Sequence, residues 1–281
     1  MSAQANSMRD ALYEAPGPKT KRATAIGTGV ALVLVAVGIV LILRQFYVNG
    51  QLAPKYWSFF TKWSTWRFLL NGLVGTFKVA FTAGAIALVL GLALMLGRTS
   101  GIRWLEAISR VIIDFFRGVP SLLLIYFFFL IVPQYGIKLP SFWMLTIPVA
   151  LAASGVLAEV FRAGVNAVPK GQVEAAMAIG LMPGKTMFKI ILPQALRIVI
   201  PSLISQLVVV VKDTTVAYVV SYPDLLQNAR VLITSYDALV STYFIIAIIY
   251  ILINYGINQL SIYVAHRTHE PILSRLDENP T

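Results

Sequence analysis

The segment Val168–Pro193 reads VPKGQVEAAMAIGLMPGKTMFKIILP, and it is a polar, helix-patterned stretch between long apolar segments of the chain. Hydrophobic residues make up 58% of the 281 residues and charged residues only 12%, whereas about a quarter of a soluble protein is charged. The composition therefore indicates a membrane protein. A polar loop kept between two membrane segments in turn indicates a docking surface for another protein.

Two helices are predicted inside this loop. Helix-forming residues run from Lys170 to Met182, and this first helix is expected to stop at Pro183-Gly184. A second short helix, Lys185 to Leu192, is expected to end at the proline that follows it. On the first helix Ala176 and Gly180 lie one above the other, which leaves a flat stripe for close contact with a partner.

Long apolar segments predict the fold class. A spanning helix needs about 20 mostly apolar residues, and about six segments meet or approach this length. They are Ala25 to Leu43, Leu69 to Leu96, Ile108 to Val132, Phe142 to Phe161, Ile198 to Val220, and Leu239 to Ala265. The apolar core of the first segment is too long for a cleavable signal peptide. We therefore predict an all-α polytopic membrane protein with about six transmembrane helices.

Lysine and arginine residues are concentrated beside the spans on the side that also holds both termini and the polar loop. They are Arg9, Lys19, Lys21, Arg22, Arg98, Arg103, Arg110, Lys170, Lys185, Lys189, Arg267 and Arg275. This side is predicted to be the cytoplasm. On the other side Trp57, Trp63 and Trp66 predict a helix that lies at the level of the lipid headgroups.

The predicted organisation follows in chain order. It consists of a cytoplasmic tail 1–24, an extra span 25–44, an extracytoplasmic aromatic segment 45–67, a transmembrane domain 68–265 with the loop 168–193, and a cytoplasmic tail 266–281.

Several kinds of site are excluded by the residues. The chain has no cysteine, and its two histidines, His266 and His269, lie in the polar tail without a carboxylate cluster, so no metal site is expected. The net charge of +11 is spread between apolar runs and does not form the basic face of a nucleic-acid-binding protein. Gly184-Lys185-Thr186 ends like a phosphate-binding loop, but the preceding glycine is too close and a helix precedes it. We therefore predict no cofactor and no catalytic residue in this chain.

The polar loop carries a recognisable pattern. It contains Glu174-Ala175-Ala176, then Gly180, and finally Ile190, Leu192 and Pro193. This pattern resembles the EAA loop of the membrane subunits of ABC importers, against which an ATPase subunit pushes. The resemblance implies a coupling surface formed by Glu174, Ala175, Ala176, Gly180 and Lys185.

Further motifs are similar to the polar amino acid permease family. They are Gly75-Thr76-Phe77-Lys78, Phe116-Arg117-Gly118-Val119-Pro120, Glu159-Val160-Phe161-Arg162 and Lys212-Asp213-Thr214-Thr215. The resemblance implies a five-span importer core in the bacterial plasma membrane, preceded here by one N-terminal span. It also implies a second permease subunit, a cytoplasmic ABC ATPase dimer that carries ATP and Mg, and an extracytoplasmic binding protein that delivers an amino acid. The longer N-terminal form resembles glutamate permease subunits, and this resemblance implies an acidic amino acid such as glutamate.

Ionisable residues inside spans are costly and indicate function. Asp114 with Arg117, and Glu159 with Arg162, are three residues apart, so each pair is expected to form an ion pair. Lys78 and Lys212 have no such partner on their own helices. We predict a solute pathway lined by some of Lys78, Arg117, Glu159, Lys212, Asp213 and Thr214.

The second span is rich in small residues spaced four apart, which favours close packing of helices. They are Ala80, Gly84, Ala83, Ala87, Gly91, Ala93 and Gly97. Pro120 in the third span and Pro201 in the fifth are predicted positions for breaks in their helices.

Other classes of membrane protein remain open at this point. An ion-coupled secondary transporter needs no ATPase but often has repeated halves, and we find no internal repeat. A multi-span enzyme needs an acid and a base, and no tight carboxylate constellation is present. Half of an ABC exporter is the third alternative.

Overall fold

The computed structural model describes residues 17–277, and it describes side chains for residues 17–265. All regular structure in these residues is helical, in agreement with the predicted all-α class. The chain divides into two compact units, one ending at Trp57 and one beginning at Ser58. Residues 1–16 of the predicted N-terminal tail and 278–281 of the predicted C-terminal tail lie outside the described part.

The first unit consists mainly of helix α1, Pro18–Val48. Pro18 occupies the first turn, where its missing N–H is not needed for a hydrogen bond. None of the 31 residues of α1 is buried within this unit. At about 1.5 Å per residue the helix is longer than the hydrocarbon core of a bilayer, so it is long enough to span. A short 3-10 helix, Pro54–Tyr56, follows it.

The second unit contains the remaining helices. They are α2 (Trp63–Arg98), α3 (Arg103–Gly118), α4 (Ser121–Leu130), α5 (Ser141–Ala167), α6 (Lys170–Ala178), α7 (Pro183–Thr186), α8 (Leu192–Asp213), α9 (Leu225–Tyr236) and α10 (Leu239–Asp277). In the described chain five helices are long and apolar enough to cross a membrane, or up to six with one bent pair counted as a span. The prediction of about six transmembrane helices is confirmed. The segment predicted as a tail from residue 266 continues α10, and the side chains of His266 and His269 lie outside the described part.

The third predicted span, Ile108 to Val132, is wrong as a single helix. The chain forms α3 and the helical segment Ser121–Tyr135, which are bent by 95° relative to each other. Pro120 is the N-cap of α4, and Val119 before it has extended dihedral angles. The predicted break at Pro120 is therefore confirmed, because proline disfavours a helical conformation of the preceding residue. Pro201, in contrast, lies inside the uninterrupted α8.

Helix α5 is surrounded by α2, α3, α4 and α8. Its close approach to α2 depends on glycine, since a Cβ atom at Gly91 would lie 2.9 Å from the Cβ of Leu157 and 3.0 Å from the backbone oxygen of Ser154. A Cβ atom at Gly164 of α5 would likewise collide with Val199 of α8. The predicted tight packing of α2 is confirmed on the face that contains Gly91, and the close contacts at Gly91 and Gly164 hold α2, α5 and α8 together.

Candidate functional site

The loop 168–193, called the docking loop below, contains a shorter first helix than predicted. Helix α6 ends at Ala178, and Gly180 has a φ angle of 76°. The Gly180 N–H donates to the Met177 oxygen at 2.9 Å, and the Leu181 N–H donates to the Ala176 oxygen at 3.0 Å. These two bonds form a Schellman motif, whose left-handed residue is usually glycine. Gly180 therefore ends the helix and does not extend it.

The exposed surface of the docking loop also differs from the predicted stripe. Ala176 is only 4% exposed, so it faces the protein, and the prediction that Ala176 and Gly180 form one flat stripe is wrong. Glu174, Ala175, Gly180 and Lys185 are exposed. Three large apolar side chains also face outwards, and these are Met177, Ile179 and Met182, which are 62%, 77% and 66% exposed. A cluster of exposed apolar side chains marks a surface for contact with another protein, and the sequence reasoning missed these three.

The docking loop is fixed to the beginning of α8. Val168 at the end of α5 forms a buried apolar cluster with Ile191 and Ala195, and Val173 of α6 packs against it. The side chain of Gln194 donates to that of Gln172 at 3.4 Å. The loop is therefore held by the helices on both of its sides.

The second predicted helix of the loop, Lys185 to Leu192, does not end at Pro193. Helix α7 passes through a π-helical turn, Met187–Ile191, directly into α8, and Pro193 lies in the first turn of α8. The wider π turn shifts the hydrogen-bond register where proline supplies no N–H. The run Pro183–Val220 is consequently a single 38-residue span-forming segment that begins in the docking loop.

An ion cluster, formed by Glu159, Arg98, Arg117 and Arg162, lies near the ends of α2, α3 and α5. Arg98, the last residue of α2, forms an ion pair with Oε1 of Glu159. Arg162 donates to Oε2 from Nη2 at 2.7 Å and from Nε at 2.9 Å, which confirms the predicted pair. Arg117 of α3 lies 4.0 Å from Oε1, so it faces Glu159 and does not pair with Asp114 in the described residues. The single carboxylate joins three helices, and its side chain is 17% exposed.

The other predicted pathway residues lie elsewhere. Asp213 ends α8 within hydrogen-bonding reach of the hydroxyl of Ser121, the first residue of α4. Thr214 is buried, and its hydroxyl donates to the Val211 oxygen at 2.8 Å. Lys212 is exposed, and so is Lys78 on α2. The described residues thus bring Arg117 together with Glu159, and place Asp213 beside Thr214 where the helix tightens to 3-10 geometry.

A buried polar cluster was not found by the sequence reasoning. Asp224 is fully buried, and its Oδ1 accepts from the Gln227 N–H at 2.7 Å, which caps α9. Thr76 of α2 accepts from the Leu225 N–H at 3.1 Å, and the hydroxyl of Tyr250 lies beside the Asp224 carboxyl. Asp224 lies between two spanning segments, and burial raises the pKa of its carboxyl to about 6. The sequence does contain a signal for the start of α9, because Asp224 is a preferred N-cap residue and precedes an apolar run.

Comparison with known proteins gives consistent matches. Residues 87–270 match the family described as binding-protein-dependent transport system inner membrane component. A glutamate transport system permease protein of Corynebacterium glutamicum is 35% identical over 241 residues, which cover 83% of this chain and 88% of that protein. A probable glutamine ABC transporter permease protein of Bacillus subtilis is 34% identical over 195 residues, which cover 68% of this chain and 89% of that protein.

Solved structures agree with these matches. A crystal structure of an amino acid ABC transporter with histidines superposes with a TM-score of 0.70 at 28% identity, covering 74% of this chain and 98% of that chain. An inward-facing structure of a methionine ABC transporter has a TM-score of 0.61 at 18% identity. The match covers 74% of this chain and 99% of that chain, so the two share the fold.

Proposed function

The chain belongs to the family of inner membrane components of binding-protein-dependent transport systems, and on this premise we propose that it is the permease subunit through which an acidic amino acid such as glutamate enters the cell. The predicted resemblance to amino-acid permeases of ABC importers is confirmed by the family and by the relatives. The choice of an acidic amino acid is supported by the glutamate permease relative. The glutamine permease relative makes glutamine the main alternative as the transported amino acid.

The subunit depends on partners for energy and for delivery of the solute. We propose that an ABC ATPase dimer, which carries ATP and Mg, binds the docking loop from the cytoplasm, where both termini also lie. A second permease subunit, similar or identical, completes the pathway, and an extracytoplasmic binding protein delivers the amino acid. The lysines and arginines beside the loop support this orientation.

The observation that carries the mechanism is the continuous helical run from the docking loop into the membrane. Pro183 to Asp213 is helical without interruption, so a force on the loop is transmitted along α8 and not absorbed by a flexible linker. Closure of the ATPases moves the loop, and the attached helices move between outward-open and inward-open arrangements. This shift requires that the ATPase bind the loop differently in the two states. We assign the contact to Glu174, Ala175, Gly180 and Lys185, with Ala176 supporting the loop from beneath.

The solute pathway is proposed to pass the end of α8. Lys212, Asp213 and Thr214 stand where α8 changes to a 3-10 helix beside the start of α4, and irregular helices in bundles form polar sites. Lys78 is exposed on α2 and is available to the pathway from the outer part of that helix. Glu159 and Arg117 are proposed to act at the cytoplasmic gate, because their cluster ties the inner ends of three helices.

Reconstituted uptake tests the function. Proteoliposomes with the permease, its ATPase and its binding protein should accumulate glutamate only when ATP is supplied, and competition with glutamine, aspartate and arginine measures the preference. Accumulation without an ATPase would instead support an ion-coupled transporter. Lys212→Ala and Arg117→Leu variants should assemble and transport more slowly; full rates in both would contradict the pathway assignment.

A further inference from the structure

Helix α3 has an unpartnered apolar face. Trp104, Ile108, Val111 and Phe115 are 65%, 51%, 67% and 55% exposed. They are spaced four, three and four residues apart, so they lie on one side of the helix. The side that packs against the bundle is a different one and contains the buried residues Ser109 and Ile113.

A row of charges occupies the third side of α3. Arg103, Arg110 and Arg117 recur every seven residues and therefore form one line along the helix. Glu106 and Asp114 lie on the same side, and all of these except the partly buried Glu106 are exposed. The charged and the apolar side chains of α3 therefore lie on different exposed faces of the helix.

The direction of α3 is fixed by its neighbour. The segment Ser121–Tyr135 makes an angle of 95° with α3. It contains no charged residue, and its α4 portion is built from large apolar side chains. If this segment runs into the bilayer, as its composition requires, α3 runs along the membrane surface.

We propose that α3 lies in the plane of the membrane interface, with Trp104, Ile108, Val111 and Phe115 among the acyl chains and Arg103 and Arg110 on the phosphates of anionic phospholipids. On the orientation proposed above, this is the cytoplasmic leaflet. The apolar face has the width and the flanking cations of an interfacial amphipathic helix. Arg117 is excluded from the lipid contact because it faces Glu159. The lipid-bound helix then holds Arg117, its residue in the ion cluster, at the level of the headgroups.

Spin labels test the position of α3, because the chain has no cysteine of its own. Single cysteines are placed at Ile108 and Val111 on the apolar face, at Ala107 and Asp114 toward the charged side, and at Ile113 on the packed side. The labelled permease, assembled with a cysteine-free ATPase, is reconstituted in nanodiscs. Collision of each label with oxygen, which dissolves in lipid, is compared with collision with a water-soluble nickel chelate.

The expected result is a periodic pattern. Labels at positions 108 and 111 should collide severalfold more often with oxygen than with the nickel chelate, labels at 107 and 114 should show the reverse, and a label at 113 should be shielded from both. Shielding of 108 and 111 from both reagents would overturn the proposal, since a protein, for example the second permease, would cover the face. Free access of the nickel chelate to 108 and 111 would also overturn it. Neither outcome depends on which solute is carried, so a failure of the proposed transport function is recognised separately by uptake.

The role of the arginines has its own measurement. A double variant, Arg103→Gln with Arg110→Gln, should bring the label at Val111 closer to water in nanodiscs that contain phosphatidylglycerol. The same variant should match the parent in purely phosphatidylcholine nanodiscs. An equal depth for parent and variant in both lipids would overturn the contact with anionic headgroups.

Discussion

Substitution of single glycines in α2 tests the packing that positions the docking loop. In Gly91→Ala the new Cβ meets Leu157, the Ser154 oxygen and the Ala158 nitrogen at 2.9, 3.0 and 3.1 Å. Two of these atoms belong to the backbone of α5, so they cannot rotate away, and the helices must separate. Overpacking of this kind costs about 1–3 kcal/mol. Replacement of glycine by alanine inside a helix returns about 1 kcal/mol of helix propensity, so the net loss is about 0–2 kcal/mol.

The matched control is Gly84→Ala on the same helix. Its new Cβ approaches only the Cδ1 of Leu207, at 3.9 Å, which is an ordinary contact. Both substitutions gain the same helix propensity, so the difference between the two variants isolates the clash at about 1–3 kcal/mol. Reversible unfolding of the permease in mixed micelles measures this difference. Equal unfolding free energies for the two variants would refute the close approach of α2 and α5.

Three other predictions follow from the sites. Glu159→Gln should destabilise the permease more than Arg162→Gln, because it leaves three arginines close together. The pair of Glu159 and Arg162 is partly exposed, so a double-mutant cycle should give a coupling of about 1 kcal/mol. Zero coupling would contradict the ion cluster. Glu174→Lys should release the ATPase during co-purification while insertion stays normal. Lys138→Glu, in the segment between α4 and α5 that we propose faces away from the ATPase, should retain it; retention in both variants would contradict the docking surface. Burial raises the pKa of Asp224 to about 6, so the contribution of this carboxyl to stability is fully present below about pH 4 and is lost as the pH rises to about 6, by about 3 kcal/mol in total. Asp224→Asn keeps the cap and should remove this dependence in unfolding measured at pH 5 and pH 7.5; an unchanged pH dependence would show that another group titrates.

The spans and the loop were predictable because their signals are local. Hydrophobic length identifies α2, α5 and α10, and the small residues of α2 identify its packing side. The amphipathic character of α3 was also present in the sequence, since Arg103, Arg110 and Arg117 repeat every seven residues. This character was missed because the apolar segment that begins at Ile108 continues into α4 and has the length and composition of a single span.

Other features depend on contacts that a single segment does not contain. Gly180 is compatible with a flat helical stripe and is also the usual residue of a left-handed cap, and the hydrogen bonds to the Met177 and Ala176 oxygens show that it forms the cap. Arg117 has Asp114 as its nearest acid in sequence, but the tertiary fold places it beside Glu159. The π turn before Pro193 is likewise a compromise between proline and the requirement that α7 and α8 be continuous.

The arrangement of the docking loop also determines which helices respond to the ATPase. The loop is anchored at Val168 on the end of α5 and at Ile191 and Ala195 at the start of α8, so a push on α6 acts on both helices together. Gly164 adds a second close contact between α5 and α8, since a Cβ atom at this position would collide with Cγ1 of Val199. The ion cluster is weaker than this apolar junction, because partly exposed ion pairs contribute only about 0–1 kcal/mol each. On the proposed mechanism α5 and α8 therefore move as one body, and the contact of Glu159 with Arg117 of α3 is where the inner end of the bundle opens.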